Sequence, residues 1–277
     1  MDSVLYEQRG RVAIVTMNRP QVCNAQNIKM TQALDEALVR AVGDDSVGAI
    51  ILAGAGPHFS AGHDIGTPER DIDKSFTRTA TTWWEHSDKG GVENIFVREQ
   101  EAYLGMCKRW RTLQKPVLGQ VQGACIAGGL ALAWCCDLII AADDAFFSDP
   151  VVRMGIPGME YFAHPFALPA RAAKELLFLG EKMSAERAYQ LGMVNRLVPR
   201  AELEKETLAL ASRIAEMPRF GLALSKMAIN QAEERQGLLD TINATYGLHQ
   251  LAHAHNTLTA PDHLAGQNPK SIADKLK

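Results

Sequence analysis

The sequence lacks any apolar run as long as a membrane span, and it has no strong excess of either charge. Its 277 residues carry a net charge of −3 with a pI near 6.2, so the chain has no general attraction for nucleic acid or an anionic membrane. The first ten residues also lack the basic and apolar regions of a signal peptide. We therefore expect a cytoplasmic protein that binds neither nucleic acid nor a membrane.

Cysteine and histidine patterns typical of metal sites are missing as well. The five cysteines form no C-x-x-C pair and lie mostly in apolar sequence, which favours buried free thiols: Cys23, Cys107, Cys125, Cys135 and Cys136. Three histidines fall within one predicted helix with no accompanying carboxylate pattern, so we expect solvated side chains at His249, His253 and His255. No metal site is predicted.

Strand and helix signals alternate through most of the chain. Two short alternating segments, 4–7 and 12–17, predict a β-hairpin, and the apolar spacing over 28–42 predicts a helix facing a core. Helical spacing dominates beyond residue 199. We expect a core domain over 1–199 and a helical region over 200–277.

The segment 66–94 has neither a helical nor a strand period. It predicts either a mobile cover over a ligand or an insertion docked on another subunit. Further helices are expected over 95–113, 201–217, 221–236 and 238–257. The polar tail after Pro261 is expected to be loosely held.

Two glycine-rich turns carry the strongest chemical signal. FSAGHDI at 59–65 and GACIAGGLALAWCCD at 123–137 each follow a short apolar run, at 49–53 and 117–121 respectively. Glycine at such strand-to-helix corners lets the backbone approach a ligand, with free N–H groups pointing outward. Two N–H groups directed at one oxygen would form an oxyanion hole.

These corners and three further segments resemble the crotonase (enoyl-CoA hydratase/isomerase) superfamily in order and spacing. The further segments are NRPQVCNA at 18–25, DPVVRMGIPG at 149–158 and LGEKMSAERAYQLGMVNRLVP at 179–199. The resemblance implies an α/β crotonase (ClpP/crotonase-like) fold, which is a spiral of ββα units in two roughly perpendicular sheets followed by a helical C-terminal domain. It also implies an acyl-CoA substrate, no cofactor apart from the CoA of that substrate, and a homotrimer or a hexamer made of two trimers. In the family the C-terminal helices pack over a neighbouring subunit, so the resemblance implies that residues 200–277 take part in oligomerisation.

The resemblance places substrate-binding groups on both corners. It implies that the backbone N–H groups of His63 and Gly128 hold the thioester oxygen, with Gly128 also at the start of a helix. CoA and its acyl group are expected near Ala25, Ser60, Ala61, Asp64, Ile65 and Tyr161. Asp64 is equally well interpreted as a helix N-cap. Arg19 and Lys29 are expected in solvent.

The carboxylates used by hydratases of the family are missing. Their two positions fall on Ala131 and Val151, and neither side chain can transfer a proton. The segment GIPGMEYFAHP, where hydratases commonly have small residues, instead offers Glu160, Tyr161 and His164. Hydration by a pair of glutamates is therefore not expected.

Glu160 is the best remaining candidate for a base or a nucleophile. Half buried in the wall of the acyl pocket, it is expected to have a raised pKa. Alternatively, Glu160 only pairs with Arg153 or Arg171, and Tyr161 only fills the acyl pocket.

Two further polar side chains have open interpretations. The imidazole of His63 either contacts the substrate or hydrogen-bonds Asp64 or a backbone carbonyl. Asp149 lies close to the expected pocket, and a turn-capping role is favoured for it.

The predicted function is that of an enoyl-CoA hydratase/isomerase-family lyase or isomerase, which stabilises an oxyanion derived from an acyl-CoA thioester. Isomerisation, hydrolysis and decarboxylation that use Glu160 and His63 remain alternatives. A non-catalytic acyl-CoA-binding protein is a further alternative, because both glutamate positions are lost.

Overall fold

A six-stranded sheet forms the centre of the protein, and the computed structural model describes residues 2–70, 90–260 and 266–275. Its strand order is β1-β2-β3-β4-β6-β9, with one antiparallel pair, β1 and β2, and parallel pairing elsewhere. A smaller sheet has the order β5-β7-β8. The strands are β1 Val4–Arg9, β2 Val12–Met17, β3 Ala49–Gly54, β4 Val117–Val121, β5 Ala124–Ile126, β6 Leu138–Ala142, β7 Phe146–Ser148, β8 Met183–Ser184 and β9 Arg196–Val198.

Helices surround these sheets and make up the whole C-terminal region described. They are α1 Ile28–Gly43, α2 Gly91–Arg98, α3 Met106–Arg111, α4 Gly128–Trp134, α5 His164–Ala167, α6 Ala170–Leu179, α7 Ala185–Gln190, α8 Leu203–Ala215, α9 Arg219–Arg235, α10 Leu238–Thr259 and α11 Pro269–Lys275. Short 3-10 turns occur at Pro20–Val22, Pro150–Met154 and Arg200–Glu202. The hairpin, the α/β core and the helical C-terminal region thus agree with the sequence-based prediction.

The central sheet is covered on both faces. Every residue of β3 is buried, and alternate residues belong to two different hydrophobic clusters. Ile50 and Leu52 contribute to the larger cluster, whereas Ile51 packs in the cluster that α8 closes through Leu203 and Ala211. Helix α8 therefore covers the sheet, although it lies beyond the predicted domain boundary at residue 199, and that boundary stays a prediction.

A π-helical segment, Glu99–Gly105, joins α2 to α3 in one continuous helix. The sequence predicted only a regular helix over 95–113. Gly105 allows the wide turn, because a Cβ at this position would lie 2.8 Å from the carbonyl oxygen of Gln100, five residues earlier. A π-turn changes which side chains share a helix face, and such turns occur frequently at functional sites.

The expectation of a loosely held tail is wrong for residues 266–275. Helix α11 packs against the 3-10 turn at Pro150–Met154, and the backbone N–H of Gln267 donates to the carbonyl of Arg153 at 2.7 Å. Ile272 is 5% exposed, so one apolar side chain anchors an otherwise polar segment. Of the predicted cover over 66–94, residues 71–89 lie outside the described part of the chain.

The cysteines are free, as expected, and three of them are buried: Cys107, Cys125 and Cys135. Within residues 2–70, 90–260 and 266–275, no helix is long and apolar enough to cross a membrane.

Candidate active site

The two glycine-rich corners lie directly against each other. The Ser60 N–H donates to the Ala124 carbonyl at 3.0 Å, and the Ile126 N–H donates to the Ser60 carbonyl at 3.0 Å. A Cβ on Gly129 would lie 2.5 Å from the Ser60 carbonyl oxygen, so only glycine permits this approach. Two segments far apart in the sequence therefore form one rigid wall.

The second corner turns sharply in front of α4. Ala127 has φ 46° and ψ −109°, a conformation that is unfavourable for a residue with a side chain, and its N–H donates to the Ser148 carbonyl at 2.9 Å. Gly128 follows as the first residue of α4. Within the residues described, neither the Gly128 N–H nor the His63 N–H has a hydrogen-bond acceptor. Both groups are available to a ligand oxygen, as the oxyanion-hole prediction requires.

A pocket of about 330 Å³ opens beside this corner. It brings together most of the predicted site residues, namely Ala25, Ala61, His63, Asp64, Ile65, Gly128 and Glu160. Val151, Met154, Ile156 and Met159 supply an apolar wall. An apolar pocket with a few converging polar groups is the usual form of a small-molecule site.

Two predicted substrate-binding residues are not placed on this pocket. Ser60 is fully buried, its hydroxyl donates to the Asn24 carbonyl at 2.9 Å, and its backbone groups bond the other corner. Tyr161 is 1% exposed and lines a water-sized cavity of about 10 Å³ behind His63 and Glu160, as well as a separate pocket of about 220 Å³. Neither side chain reaches the pocket. The hydroxyl of Ser60 is held by a hydrogen bond to the backbone, and the ring of Tyr161 is packed in the protein interior.

Arg19 and Asp64 form a buried ion pair at the edge of the pocket. Their side chains are 5% and 1% exposed, and Arg19 Nη2 lies 2.8 Å from Asp64 Oδ2. Burial alone would raise the pKa of Asp64, but hydrogen bonds from Thr67 and Arg19 bring that pKa below its ordinary value. The expectation of a solvated Arg19 is wrong, because its guanidinium fixes Asp64 and also bonds the Ala25 carbonyl.

The carboxylate of Glu160 pairs with the imidazole of His63. Nδ1 of His63 lies 3.3 Å from Oε1 of Glu160, and the imidazole stacks on Tyr103 with ring centroids 3.7 Å apart. Arg153, one of the predicted partners, instead donates to the Leu179 carbonyl at 2.7 Å. A carboxylate and an imidazole therefore face each other at the wall that holds the Gly128 N–H.

The expected raised pKa of Glu160 is wrong in direction. Glu160 is 6% exposed, and burial by itself would raise its pKa, but the charge and the hydrogen bond of His63 lower it below the usual value. The same pairing raises the pKa of His63, against the opposing effect of burial. The sequence-based prediction did not include the imidazole of His63 as a neighbour of Glu160.

A second buried group of ionisable side chains adjoins Glu160. Nε2 of His249 lies 3.3 Å from Oε2 of Glu99 and 3.9 Å from Oε1 of Glu160. Nε2 of His253 lies 3.3 Å from Oε1 of Glu99. Burial opposes a charge on His249, but the hydrogen bond and the charge of Glu99 raise its pKa to about 9, whereas the two imidazoles hold the pKa of Glu99 below its usual range despite burial.

Solvated histidines were predicted on α10, and this is wrong for His249, which is 4% exposed. His253 is half-buried, and His255 is exposed as expected. The sequence-based prediction missed Glu99 because this residue lies far from the histidines in the chain and carries no motif. A useful signal was the i, i+4 spacing of His249 and His253, which places both on one face of a helix.

The π-turn positions two members of the site. Glu99 begins the π-helical segment and reaches the α10 histidines, and Tyr103, four residues later, stacks on His63. Helix α10 itself lies on its own chain, since His249 Nδ1 is 2.8 Å from the Gly158 carbonyl oxygen. Helices α10 and α11 thus contribute His249, His253 and Ile272 to the pocket of their own chain. The contact of the C-terminal helices with a neighbouring subunit, implied by the family resemblance, stays a prediction.

The two positions expected to lack a carboxylate are close to the site. Val151 lines the pocket, and Ala131 lines the small cavity behind it. Asp149 and His164 are fully buried away from the pocket, with Asp149 Oδ2 2.9 Å from His164 Nε2 and accepting from the Met159 N–H at 3.0 Å. Asp149 therefore ties down the loop that carries Glu160. The expected turn-capping role is wrong, because its side chain makes no capping hydrogen bond to the 3-10 turn at Pro150–Met154.

Comparison with known proteins identifies the family. A sequence model described as enoyl-CoA hydratase/isomerase matches residues 7–90 and 93–260. The Mycobacterium tuberculosis protein named enoyl-CoA hydratase EchA13 is 40% identical over 255 residues, which cover 89% of this chain and 78% of that protein.

Solved structures agree with this result and confirm the predicted crotonase fold. A probable enoyl-CoA hydratase from Mycobacterium smegmatis is 42% identical, with a TM-score of 0.84 over 94% of this chain and 98% of that one. A second one, from Mycobacterium thermoresistibile, is 43% identical, with a TM-score of 0.83 over 93% and 99% of the two chains. The protein therefore belongs to the enoyl-CoA hydratase/isomerase family of the crotonase superfamily.

Proposed function

We propose that this protein catalyses proton transfer on an acyl-CoA thioester, with the backbone N–H groups of His63 and Gly128 holding the thioester oxygen. Glu160 takes the proton from the carbon next to the thioester or returns it to the acyl chain, and His63 positions the carboxylate. The observation that carries the proposal is the Glu160–His63 pair, 3.3 Å apart, beside the unbonded N–H of Gly128.

The chemistry follows from where negative charge develops. Removing a proton next to a thioester gives an enolate, whose oxygen is stabilised by two fixed N–H donors. One carboxylate is sufficient to move one proton away and back, so isomerisation needs a single base. Hydration needs a water molecule to be positioned and deprotonated as well, and neither Ala131 nor Val151 contributes to that task.

A second candidate function is acyl-CoA binding without turnover. The observation that favours it is the apolar character of both former glutamate positions, since Val151 lines the pocket without any proton-transfer group. The two functions differ in one measurable event, which is exchange of the acyl α-proton with solvent.

The test incubates the protein with acyl-CoA thioesters of different chain length in D₂O and follows deuterium incorporation by mass spectrometry. Exchange at the α-carbon above the rate without protein supports proton transfer, whatever the final product. Binding of the same thioesters, detected as a raised melting temperature, without any exchange would favour the non-catalytic protein. Fast hydration of crotonyl-CoA, with kcat/KM above roughly 10⁶ M⁻¹s⁻¹, would contradict the proposed chemistry.

Glu160→Gln is the decisive variant, because it keeps the size of the side chain and removes the base. We expect exchange to fall at least ~10²-fold while thioester binding changes little. Glu175→Gln, on the exposed surface of α6, is the matched control and should behave like the unchanged protein. Equal exchange in the Glu160 variant would assign that carboxylate a structural role.

A further inference from the structure

Glu99, His249 and His253 form a cluster of donor atoms that the proposed proton transfer does not use. The two carboxylate oxygens of Glu99 each face one imidazole, at 3.3 Å from His249 Nε2 and 3.3 Å from His253 Nε2. The two Nε2 atoms are themselves only 3.1 Å apart. We propose that these three side chains bind a divalent transition-metal ion of the zinc type.

The spacing of the donors fits such an ion. Zinc binds histidine nitrogen and carboxylate oxygen at about 2.0–2.2 Å, usually in tetrahedral geometry, so that neighbouring donor atoms lie about 3.3–3.5 Å apart. The two nitrogens lie 3.1 Å apart, and each has a different Glu99 oxygen at 3.3 Å, Oε2 for His249 and Oε1 for His253, so each of these separations is close to this value. One donor atom from each of the three residues also lies within 4.8 Å of the other two. Two histidines and one carboxylate are also a common protein ligand set for zinc that keeps an open coordination position.

The tautomer of His249 supports a cation between the two imidazoles. Its Nδ1 lies 2.8 Å from the Gly158 carbonyl, which can only accept, so Nδ1 carries a proton. When His249 is neutral, Nε2 therefore presents a lone pair towards His253 Nε2, and a second lone pair there would repel it. A shared proton or a shared metal ion relieves this contact, and Glu99 supplies the negative charge that either one needs.

Neighbouring groups hold the donors in place, as they do in established metal sites. The hydrogen bond from His249 Nδ1 to a backbone carbonyl is the usual partner of a metal-bound imidazole. Gln250 Nε2 donates to Oε2 of Glu99 and fixes the orientation of the carboxylate. Glu99 and His249 are both 4% exposed, so both side chains have already lost most of their water in the folded protein. An ion would therefore meet ligands that are already in position.

The site opens on the same pocket as the candidate oxyanion hole. All three donor residues line that pocket together with Gly128 and Glu160. An ion held by three protein ligands would therefore present its remaining coordination position to the bound molecule. Binding of the ion does not depend on the proposed reaction, because it is measured directly and not through turnover.

The test titrates Zn²⁺ into untagged, chelator-treated protein by calorimetry at pH values from about 7 to 9, because the ion must displace a proton from the imidazole and should bind more tightly as the pH rises. We expect one ion per chain, with Co²⁺ giving the visible absorption bands of a four- or five-coordinate site. His253→Ala should weaken zinc binding at least ~100-fold. Loss of a group that only orients a ligand lowers metal affinity ~10–100-fold, and loss of the ligand itself should lower it more. Glu99→Gln should weaken binding similarly while the fold, followed by circular dichroism, is kept.

His255→Ala is the matched control, because His255 lies on the exposed side of the same helix. Binding that is unchanged in this variant and lost in the His253 and Glu99 variants supports the site. Absence of one-to-one binding by the unchanged protein would overturn it and leave the cluster as a group that shares a proton. Equal binding by the His253→Ala protein would overturn it as well.

Discussion

Gly128 has no side chain at the point where the His63 imidazole passes the backbone. A Cβ on Gly128 would lie 2.7 Å from Cδ2 and 2.8 Å from Nε2 of that ring. The imidazole, stacked on Tyr103 and paired with Glu160, cannot move away without losing those partners. Because Gly128 has no side chain, its backbone N–H stays uncovered and the imidazole of His63 stays paired with Glu160.

Gly128→Ala should therefore lower turnover of an acyl-CoA substrate at least ~10²-fold, because the added methyl group displaces His63 and shifts the N–H donor. Steady-state kinetics and the α-proton exchange assay both measure this effect. Gly221→Ala is the control, since a Cβ at that helical position meets nothing within 4 Å. Full activity of a folded Gly128→Ala protein would contradict the role assigned to this corner.

The Arg19–Asp64 pair is a second single-residue feature with a measurable effect. Asp64→Asn should destabilise the protein by about 1–3 kcal/mol, because the buried guanidinium of Arg19 then keeps only the largely exposed Glu69 as a charged partner. Asp45→Asn is the control, as Asp45 pairs with Arg219 but is 94% exposed, and exposed pairs contribute about 0–1 kcal/mol. Urea denaturation monitored by circular dichroism gives both values.

The difference in unfolding free energy between the unchanged protein and Asp64→Asn should depend on pH in one direction. The pKa of Asp64 is lowered in the folded protein, so its stabilising contribution is present above the unfolded pKa of about 3.9 and is lost as the pH falls through the folded value. The gap between the unchanged protein and Asp64→Asn should thus be full near neutrality and shrink in acid. A gap that grows on acidification would show that another group stabilises this corner.

At the level of the helices, the π-turn at Glu99–Gly105 is the element that brings Glu99 and Tyr103 to the site. Gly105→Ala should strain this turn, because its methyl group would lie 2.8 Å from the Gln100 carbonyl oxygen. We expect weaker zinc binding and slower α-proton exchange, with little change in the melting temperature. Gly247→Ala, at an exposed helical position with nothing within 4 Å, is the control and should stabilise the protein by about 0.5–1 kcal/mol.

Local patterns were sufficient to predict most of these elements. Apolar spacing located α1 and α10, and the glycine-rich turns located the two corners that carry His63 and Gly128. The π-turn could not be predicted, because it shifts the apolar spacing at only one point between two short helices, and such a single shift does not stand out from ordinary variation in the spacing. The burial of Arg19 and the pairing of Glu99 with His249 depend on contacts between distant segments, which a single sequence does not contain.

The assembled protein should contain more than one chain, because α9 has no buried residue and exposes several large apolar side chains. Three of them, Phe220, Leu224 and Met227, share one helix face at i, i+4 and i+7. Exposed apolar patches of this kind usually mark an interface between proteins. The trimeric or hexameric state implied by the family resemblance would cover them.

Light scattering should give a mass of three or six chains of 30.3 kDa each. The Phe220→Glu/Met227→Glu protein should dissociate at concentrations where the unchanged protein stays assembled, since two charges on one helix face would then be buried in an apolar contact. A monomeric unchanged protein would contradict this prediction. Unaltered assembly of the double variant would place the interface on another face.

The π-turn also has a consequence for how this active site is recognised in relatives. A single π-turn takes up one extra residue while the α-helices on either side keep their orientation, so deleting one residue between Glu99 and Gly105 would give a regular α-helix with α2 and α3 still in place. A relative that is one residue shorter here could then present the same glutamate to the same α10 histidines. The two sequences would reveal the shared cluster only when the alignment gap is placed inside this turn.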